Sequence, residues 1–111
     1  MTIGQPGSEI GARDVPDGAM LLDVREQDEW MAGHVPGAVH IPVGQLSSRG
    51  AEVPLDQMVY VICRSGARSA MVVDAMTDAG WQVINVAGGM QDWAAAGRPM
   101  ISDLGADPVV A

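Results

Sequence analysis

Short apolar runs and segments of helical spacing alternate along most of this chain. Four runs are apolar almost throughout, and they cover residues 20–24, 38–41, 58–62 and 81–86. Such runs predict strands that are covered on both faces, as in a parallel sheet. Helices are predicted at residues 27–32, 69–79 and 90–96, with a helical turn over 43–49, and a glycine directly follows each of these segments. The alternation predicts an α/β domain with a mainly parallel sheet and helices on both faces.

The length and the two end segments set the domain organisation. The chain has 111 residues, of which 48% are hydrophobic and 18% are charged, and this suits one folded domain with its own core. The domain is predicted over residues 10–100, and its first ten residues are expected to hold a short helix or turn. Residues 1–9 are expected to form a loose lead-in, and residues 101–111, which show no periodicity, a mobile tail.

The acidic charge narrows the range of partners. Six basic residues, all of them arginine, stand against 14 acidic ones, so the formal net charge is −8. A field of that sign opposes binding to nucleic acid or to an anionic membrane surface. The lack of lysine excludes Schiff-base catalysis and a lysine-dependent phosphate loop. No apolar run is long enough to span a membrane and no export signal is visible, so a cytoplasmic location is expected.

Cys63 is the single cysteine of the chain. One cysteine cannot form an internal disulfide or a multi-cysteine zinc site. Because His34 and His40 are the only histidines, no metal site is expected. A lone thiol stays reduced in the cytoplasm, so Cys63 is predicted to be a free thiol there.

The most informative segment is the loop CRSGARS, which joins the predicted strand 58–62 to the predicted helix 69–79. Cys63 lies at the carboxyl end of the strand, which is where open α/β sheets bind ligands. It also lies just before a helix N-terminus, where unpaired amides favour anions. Gly66 allows the loop to turn its amides inward. The segment therefore predicts an anion-binding loop around a thiol.

The other loop residues strengthen this prediction. Ser65 and Ser69 can donate hydrogen bonds, and Arg64 and Arg68 add permanent positive charge. A free cysteine titrates near pH ~8.5, so only about 3% of it is thiolate at pH 7. A helix N-terminus alone lowers the pKa by about 0.2–1.5 units. With amide hydrogen bonds and a guanidinium added, thiolate is expected to be the major form.

Plainer interpretations exist for each charged or nucleophilic residue. Cys63 could be an ordinary core cysteine, and Arg64 could simply point outward. Arg68 could be a surface arginine that pairs with Asp74 or another acid. These alternatives are less favoured for Cys63 and Arg68, because the loop position places both beside the predicted helix N-terminus.

Structural roles are favoured for three residues outside the loop. Asp23 and Arg25 follow the first predicted strand, and they are expected to support neighbouring loops as an ion pair or through hydrogen bonds. His34 lies in a Gly-His-x-Pro-Gly turn, where hydrogen bonding to the backbone is favoured over proton transfer. The tryptophans are expected to be packing residues, because no basic stripe accompanies them; they are Trp30, Trp81 and Trp93.

Four ordered segments resemble the rhodanese (sulfurtransferase) homology domain. They are LLDVRE, DEWMAGHVPGAVHIP, CRSGARS after its apolar strand, and VINVAGGMQDW, and they extend over about residues 20–100. The resemblance implies a three-layer α/β domain with a parallel five-stranded sheet. It implies that Cys63 accepts a sulfane sulfur from a donor such as thiosulfate and passes it to cyanide or a thiol, without a cofactor. The loop that binds the persulfide and the anionic end of the donor would consist of Arg64, Ser65, Gly66, Ala67, Arg68 and Ser69.

Two alternatives to this function stay open. The first is a sulfur carrier or a regulatory module that binds a partner protein. The second is a phosphatase or arsenate reductase, and loop length disfavours it. Four residues separate Cys63 from Arg68, whereas those related enzymes have a longer loop that accommodates a tetrahedral anion. Because the chain has one thiol, the sulfur must leave to an external acceptor, either a small thiol or a thiol protein.

Overall fold

The five strands of the fold form one sheet in which every neighbouring pair is parallel. The computed structural model describes residues 7–111. The strands are β1 (Glu9–Gly11), β2 (Met20–Asp23), β3 (Val39–His40), β4 (Val59–Ile62) and β5 (Val83–Ala87). They lie in the order β1-β5-β4-β2-β3. The predicted fold class is confirmed, and the sheet has the five strands that the resemblance implies.

The helices follow the predicted segments closely. They are α1 (Gln27–Ala32), α2 (Leu46–Arg49), α3 (Ala67–Asp78) and α4 (Gly89–Ala95), with 3-10 turns at Ala12–Asp14, Val43–Gln45 and Gly50–Glu52. The prediction begins α3 at residue 69, two residues late, because CRSGARS was treated as loop up to its last serine. Over residues 7–111, no helix combines the length and the apolar character that crossing a membrane requires.

The edge strand β1 lies where no strand was predicted. It begins within the predicted lead-in, and Ile10 pairs with Val86 of β5. With one apolar residue in three, β1 is too short to show a pattern, and only its pairing with β5 makes it a strand. The 3-10 turn that follows agrees with the predicted short helix or turn. Residues 1–6 of the predicted lead-in lie outside the described residues.

Alternation along the strands divides the core between the two faces of the sheet. In β4, Tyr60 and Ile62 join one apolar cluster, which also contains Met90 and Trp93 of α4. Val59 and Val61 join the other, which contains Val72, Val73 and Met76 of α3. Cys63 belongs to this second cluster. The thiol of Cys63 therefore lies on the face of the sheet that α3 covers.

Residues 101–111, the predicted tail, lie against the domain. Ile101 pairs antiparallel with His34, and the amide of Val109 donates to the carbonyl of Ala32 at 3.0 Å. A Cβ on Gly33 would collide with the backbone of Val109, so glycine is what allows this close approach. The contacts run mainly through the backbone, which leaves no apolar periodicity to predict them.

Candidate functional site

The candidate site is the loop between β4 and α3. β4 is fully buried and ends at Ile62, so the next residue, Cys63, is placed under the start of α3 with 1% of its surface exposed. Gly66 immediately precedes α3 with φ +102°, a conformation that side chains rarely adopt. A Cβ at this position would also lie 3.0 Å from the amide nitrogen of Gly88. Glycine at this position thus sets the tight turn that brings the helix N-terminus back over the thiol.

The start of α4 holds the other side of the loop backbone. The amide of Met90 donates to the carbonyl of Cys63 at 2.8 Å, and the amide of Gln91 donates to the carbonyl of Arg64 at 3.0 Å. Gly89 has φ +55°, and a Cβ there would collide with both of these carbonyls. The carbonyls of Cys63 and Arg64 therefore face α4, which leaves the following loop amides free to face the thiol. Nothing in the local sequence pattern indicates this contact between the start of α4 and the loop.

Three donors surround the sulfur of Cys63. The amide of Gly66 lies 3.1 Å from Sγ, the amide of Ser69 lies 3.4 Å away, and the hydroxyl of Ser69 lies 3.2 Å away. Burial raises the pKa of the Cys63 thiol, but the hydrogen bonds from Ser69, Gly66 and Ser65 outweigh it, so the pKa is lowered overall. The loop is therefore built to hold a sulfur anion.

Arg68 lies beside the thiol, but its guanidinium is paired with a carboxylate. Its two terminal nitrogens each donate to one oxygen of Glu29 in α1, both at 2.8 Å. The hydrogen bond from Arg68 lowers the pKa of Glu29 to about 2, despite partial burial. The hydrogen bond to Glu29 raises the pKa of Arg68 most, and the nearby charge of Cys63 raises it further. Arg68 thus pairs with an acid, as its plainer interpretation predicts, and the acid is Glu29 of α1. Arg68 is nevertheless close enough to Cys63 for the two charges to interact.

Arg64 and Ala67 contribute less directly. The side chain of Arg64 is exposed, and its Nε donates to the carbonyl oxygen of Ala111 at 2.9 Å. Ala67 is the exposed first residue of α3. Of the predicted loop residues, the structure thus brings Ser65, Gly66 and Ser69 to the sulfur, and it turns Arg64 toward the tail.

Asp23 and Arg25 form a fully buried ion pair at the end of β2. Nε and one terminal nitrogen of Arg25 lie 2.8–3.1 Å from the carboxylate of Asp23. The same guanidinium donates to the carbonyl of Gly33 at 2.7 Å and to that of Glu29 at 3.3 Å. The pair ties the middle and the C-terminal end of α1 to the sheet and thereby fixes Glu29 opposite Arg68.

His34 takes part in an aromatic stack next to α1. Its Nδ1 donates to the carbonyl of Trp30 at 2.8 Å, and its ring stacks on Trp30 with centroids 3.7 Å apart. Trp30 also stacks on His40, with ring centroids 4.6 Å apart. His34 is predicted to bond to the backbone of its own turn, but its side chain instead bonds to Trp30 in α1, so it supports that helix and not the loop.

Asn85 is a site residue that the sequence pattern did not reveal. It is buried in β5, and its Oδ1 accepts a hydrogen bond from the Ser69 hydroxyl at 2.6 Å. Its Nδ2 donates to Glu9 at 2.7 Å and to the carbonyl of Gly66 at 3.3 Å. The one available signal was an amide in the middle of an otherwise apolar strand, where an unpaired polar group is costly.

A groove of about 740 Å³ adjoins the loop and runs along α3. The charged residues that line it are Arg68 and Glu26. The rest of its lining is largely apolar and includes Val43, Leu46, Met71, Val72, Met76 and Trp81. A molecule that approaches Arg68 from this side meets an apolar surface.

The same residues connect the chain to known proteins. The sequence profile of the rhodanese-like domain matches residues 9–96, which include the loop and both elements that hold it. The chain belongs to the rhodanese-like domain family. Its relatives include proteins named as a sulfurtransferase and as a candidate sulfur carrier, so the family is one of sulfurtransferases and sulfur carriers.

Three rhodanese-like relatives illustrate the similarity. A sulfurtransferase of Allochromatium vinosum is 34% identical over 87 residues, which are 78% of this chain and 81% of that protein. A Bacillus subtilis protein, YrkF, named as a candidate sulfur carrier, is 43% identical over 81 residues, which are 72% of this chain. This chain matches only 44% of the length of that relative. The crystal structure of a rhodanese-related protein from Thermoplasma volcanium superposes with a TM-score of 0.80 at 31% identity, over 85% of this chain and 97% of that one.

Proposed function

We propose that this rhodanese-like domain transfers a sulfane sulfur as a persulfide on Cys63. The observation that carries the proposal is the set of donors on Sγ: two backbone amides and the Ser69 hydroxyl, all within 3.1–3.4 Å. These donors favour a thiolate, which is the nucleophile in sulfur exchange. The inward-facing backbone amides of the loop also favour the negative charge that a persulfide carries on its outer sulfur.

The reaction has two balanced steps. In the first, the Cys63 thiolate attacks the outer sulfur of a donor such as thiosulfate, the donor's S–S bond breaks, and sulfite leaves with the electron pair. In the second, the thiolate of an acceptor, or cyanide, attacks the outer sulfur of the persulfide, and the Cys63 thiolate is regenerated. The acceptor is a separate molecule because the chain holds no second thiol. We place this chemistry in the cytoplasm, where a lone thiol stays reduced.

In this proposal Arg68 orients the anionic end of the donor together with the loop amides. Its bond to Glu29 means that the donor competes with a carboxylate for the guanidinium. The side chain of Arg68 is 37% exposed, so an incoming anion can reach it. Arg64 has a lesser part, because its side chain is engaged by Ala111.

Intact mass spectrometry tests the persulfide. After incubation with thiosulfate, the mass of the protein should rise by one sulfur, and a thiol acceptor should remove it. The matched Cys63→Ser variant should show no increment. If neither thiosulfate nor a low-molecular-weight persulfide adds sulfur to a thiol that iodoacetamide still alkylates, the proposal is wrong.

A sulfur carrier is the second candidate, and the name of the Bacillus relative favours it. Turnover separates the two functions. A sulfurtransferase forms thiocyanate repeatedly from thiosulfate and cyanide, whereas a carrier gains one sulfur and releases it only to a particular partner. A phosphatase, which loop length disfavours, would cleave an aryl phosphate in a reaction that Cys63→Ser abolishes.

A further inference from the structure

The Ser69 hydroxyl lies between two acceptors that compete for it. Its Oγ is 3.2 Å from Sγ of Cys63 on one side and 2.6 Å from Oδ1 of Asn85 on the other. The carbonyl of Gly66 is a third and more distant acceptor at 3.3 Å. A hydroxyl has one proton to donate, so it cannot serve the thiolate and the amide at the same time. The short distance to Asn85 shows that the amide is the stronger competitor in this structure.

The orientation of the Asn85 amide is determined by its other neighbours. Its Nδ2 faces a carboxylate oxygen of Glu9 at 2.7 Å and the carbonyl of Gly66 at 3.3 Å, and both of these are acceptors. Turning the amide over would place its carbonyl oxygen against two other oxygens. The parallel register pairs Glu9 directly with Asn85, so the carboxylate is held in place by β1. Oδ1 of Asn85 must therefore face Ser69.

We propose that Asn85 is a positioning residue that competes with Cys63 for the proton of the Ser69 hydroxyl. The inference rests on the proposed function, in which Cys63 alternates between thiolate and persulfide. When the inner sulfur is neutral, as a thiol or within a persulfide, the hydroxyl donates to Asn85. When Cys63 is a thiolate, the hydroxyl must turn toward sulfur and leave Oδ1 of Asn85 without this donor. Asn85 therefore makes the thiolate more basic and favours the loaded state.

This competition has a kinetic meaning for sulfur transfer. A more basic thiolate is a stronger nucleophile toward the donor, and it is a poorer leaving group when an acceptor attacks the persulfide. Asn85 thus favours loading over unloading. The hydroxyl of Ser69 adjusts at each step by rotation about a single bond, with no movement of the backbone.

Several charged groups surround this network, and Glu9 is the one whose hydrogen bond a change at Asn85 removes. Arg68 acts on the thiolate from α3 and is paired with Glu29 of α1. Glu9 lies behind Asn85 on β1. Other charged residues nearby are the Asp23–Arg25 pair at the end of β2, Glu26 beside Arg68, Arg64, which is turned to Ala111, Asp92 of α4, and Asp74 and Asp78 of α3. A Glu9 carboxylate without its amide donor would raise the thiol pKa, so a lowered pKa in an Asn85 variant reports on the Ser69 proton.

The thiol pKa of the full chain tests the proposal without any sulfur donor. Cys63 is the only cysteine, so the pH dependence of iodoacetamide alkylation reports on it alone. Asn85→Leu removes the acceptor and keeps the branched shape of the side chain. It should lower the thiol pKa by about 0.5–1 unit, because the Ser69 proton becomes available to sulfur. Ser69→Ala should raise the pKa by a similar amount. The double variant should match Ser69→Ala, because without the hydroxyl there is no proton to compete for.

The opposite results overturn the proposal. An unchanged or raised pKa in Asn85→Leu would show that the amide only holds the loop through Gly66. A decrease that persists in the Ser69→Ala background would show an effect that does not pass through the hydroxyl. If Asn85→Leu does not fold, Glu9→Gln replaces it, because a neutral amide there allows Asn85 to turn over. Removing the Glu9 charge lowers the pKa in either background, so the proposal requires a larger decrease with Ser69 present than in the Ser69→Ala background. Absence of a persulfide, with these pKa shifts intact, would count against the proposed function and not against this role of Asn85.

Discussion

Arg25 and Arg68 both bind a carboxylate through two nitrogens, yet their surroundings differ completely. Arg25 and Asp23 have no exposed side-chain surface, and the guanidinium also serves two backbone carbonyls. The side chains of Arg68 and Glu29 are 37% and 15% exposed. A buried cation cannot lose its partner without a large cost, whereas one at the surface can exchange one anion for another. The first pair therefore builds the frame of the site, and the second is free to take part in its chemistry.

The largest effect is expected from breaking the buried pair. Arg25→Met should destabilise the fold by about 3–5 kcal/mol, because it leaves the Asp23 carboxylate buried without a partner. Urea unfolding followed by circular dichroism measures this loss. Arg49→Met is the matched control, since it breaks the exposed Arg49–Glu52 pair and should leave the unfolding midpoint nearly unchanged. Similar losses in both variants would contradict the contrast between buried and exposed pairs.

A smaller effect, on activity rather than on stability, is expected from Arg68→Met. We expect kcat/KM for thiosulfate to fall about tenfold, since a charge-assisted contact to the donor is lost. The free energy of unfolding should change by less than ~1 kcal/mol. Steady-state thiocyanate formation and urea unfolding provide the two readouts. A loss of stability like that of Arg25→Met, or unchanged kinetics, would place Arg68 in the frame and not in the site.

The residues of these two pairs also show what can be predicted from sequence. Asp23 and Arg25 are two positions apart at a strand end, and that proximity was enough to predict their pairing. Glu29 and Arg68 are 39 positions apart, and they meet because α1 and α3 pack beside the same loop. Nothing in the local pattern around either residue identifies the other. A prediction from local patterns could place Arg68 beside the thiol, but it could not show that the guanidinium is already paired with the Glu29 carboxylate.

The same distinction applies to the thiol itself. The position of Cys63 follows from a continuous apolar strand and a helix start, both of which are local patterns. The Ser69–Asn85–Glu9 network depends on the parallel register of β1, β4 and β5, and β1 is an edge strand with a single apolar residue. The amides around the sulfur were therefore predictable, but the side chains behind them were not.

The Arg68–Glu29 pair should make the free energy of unfolding decrease as the pH is lowered. The pKa of Glu29 is lowered from 4.5 to about 2, so the folded state binds its proton less readily than the unfolded state does. The resulting stabilisation is fully present above pH 4.5 and is lost as the pH falls toward about 2. Solvent screening limits it to about 1 kcal/mol. Urea unfolding of wild type and Glu29→Gln between pH 5 and 2 should converge as the pH falls, and a constant difference would contradict this assignment.

The smallest expected effect tests whether an anionic donor replaces the Glu29 carboxylate at the Arg68 guanidinium. In Glu29→Gln the guanidinium loses its competing carboxylate but keeps a neutral acceptor, so kcat/KM for thiosulfate should rise about two- to threefold. Glu52→Gln removes the same charge from a pair that does not include Arg68, and it should leave kcat/KM unchanged. An equal rise in both variants would assign the effect to net charge alone. A fall in Glu29→Gln would mean that Glu29 holds Arg68 in its working position, and the two pairs would then differ in exposure but not in role.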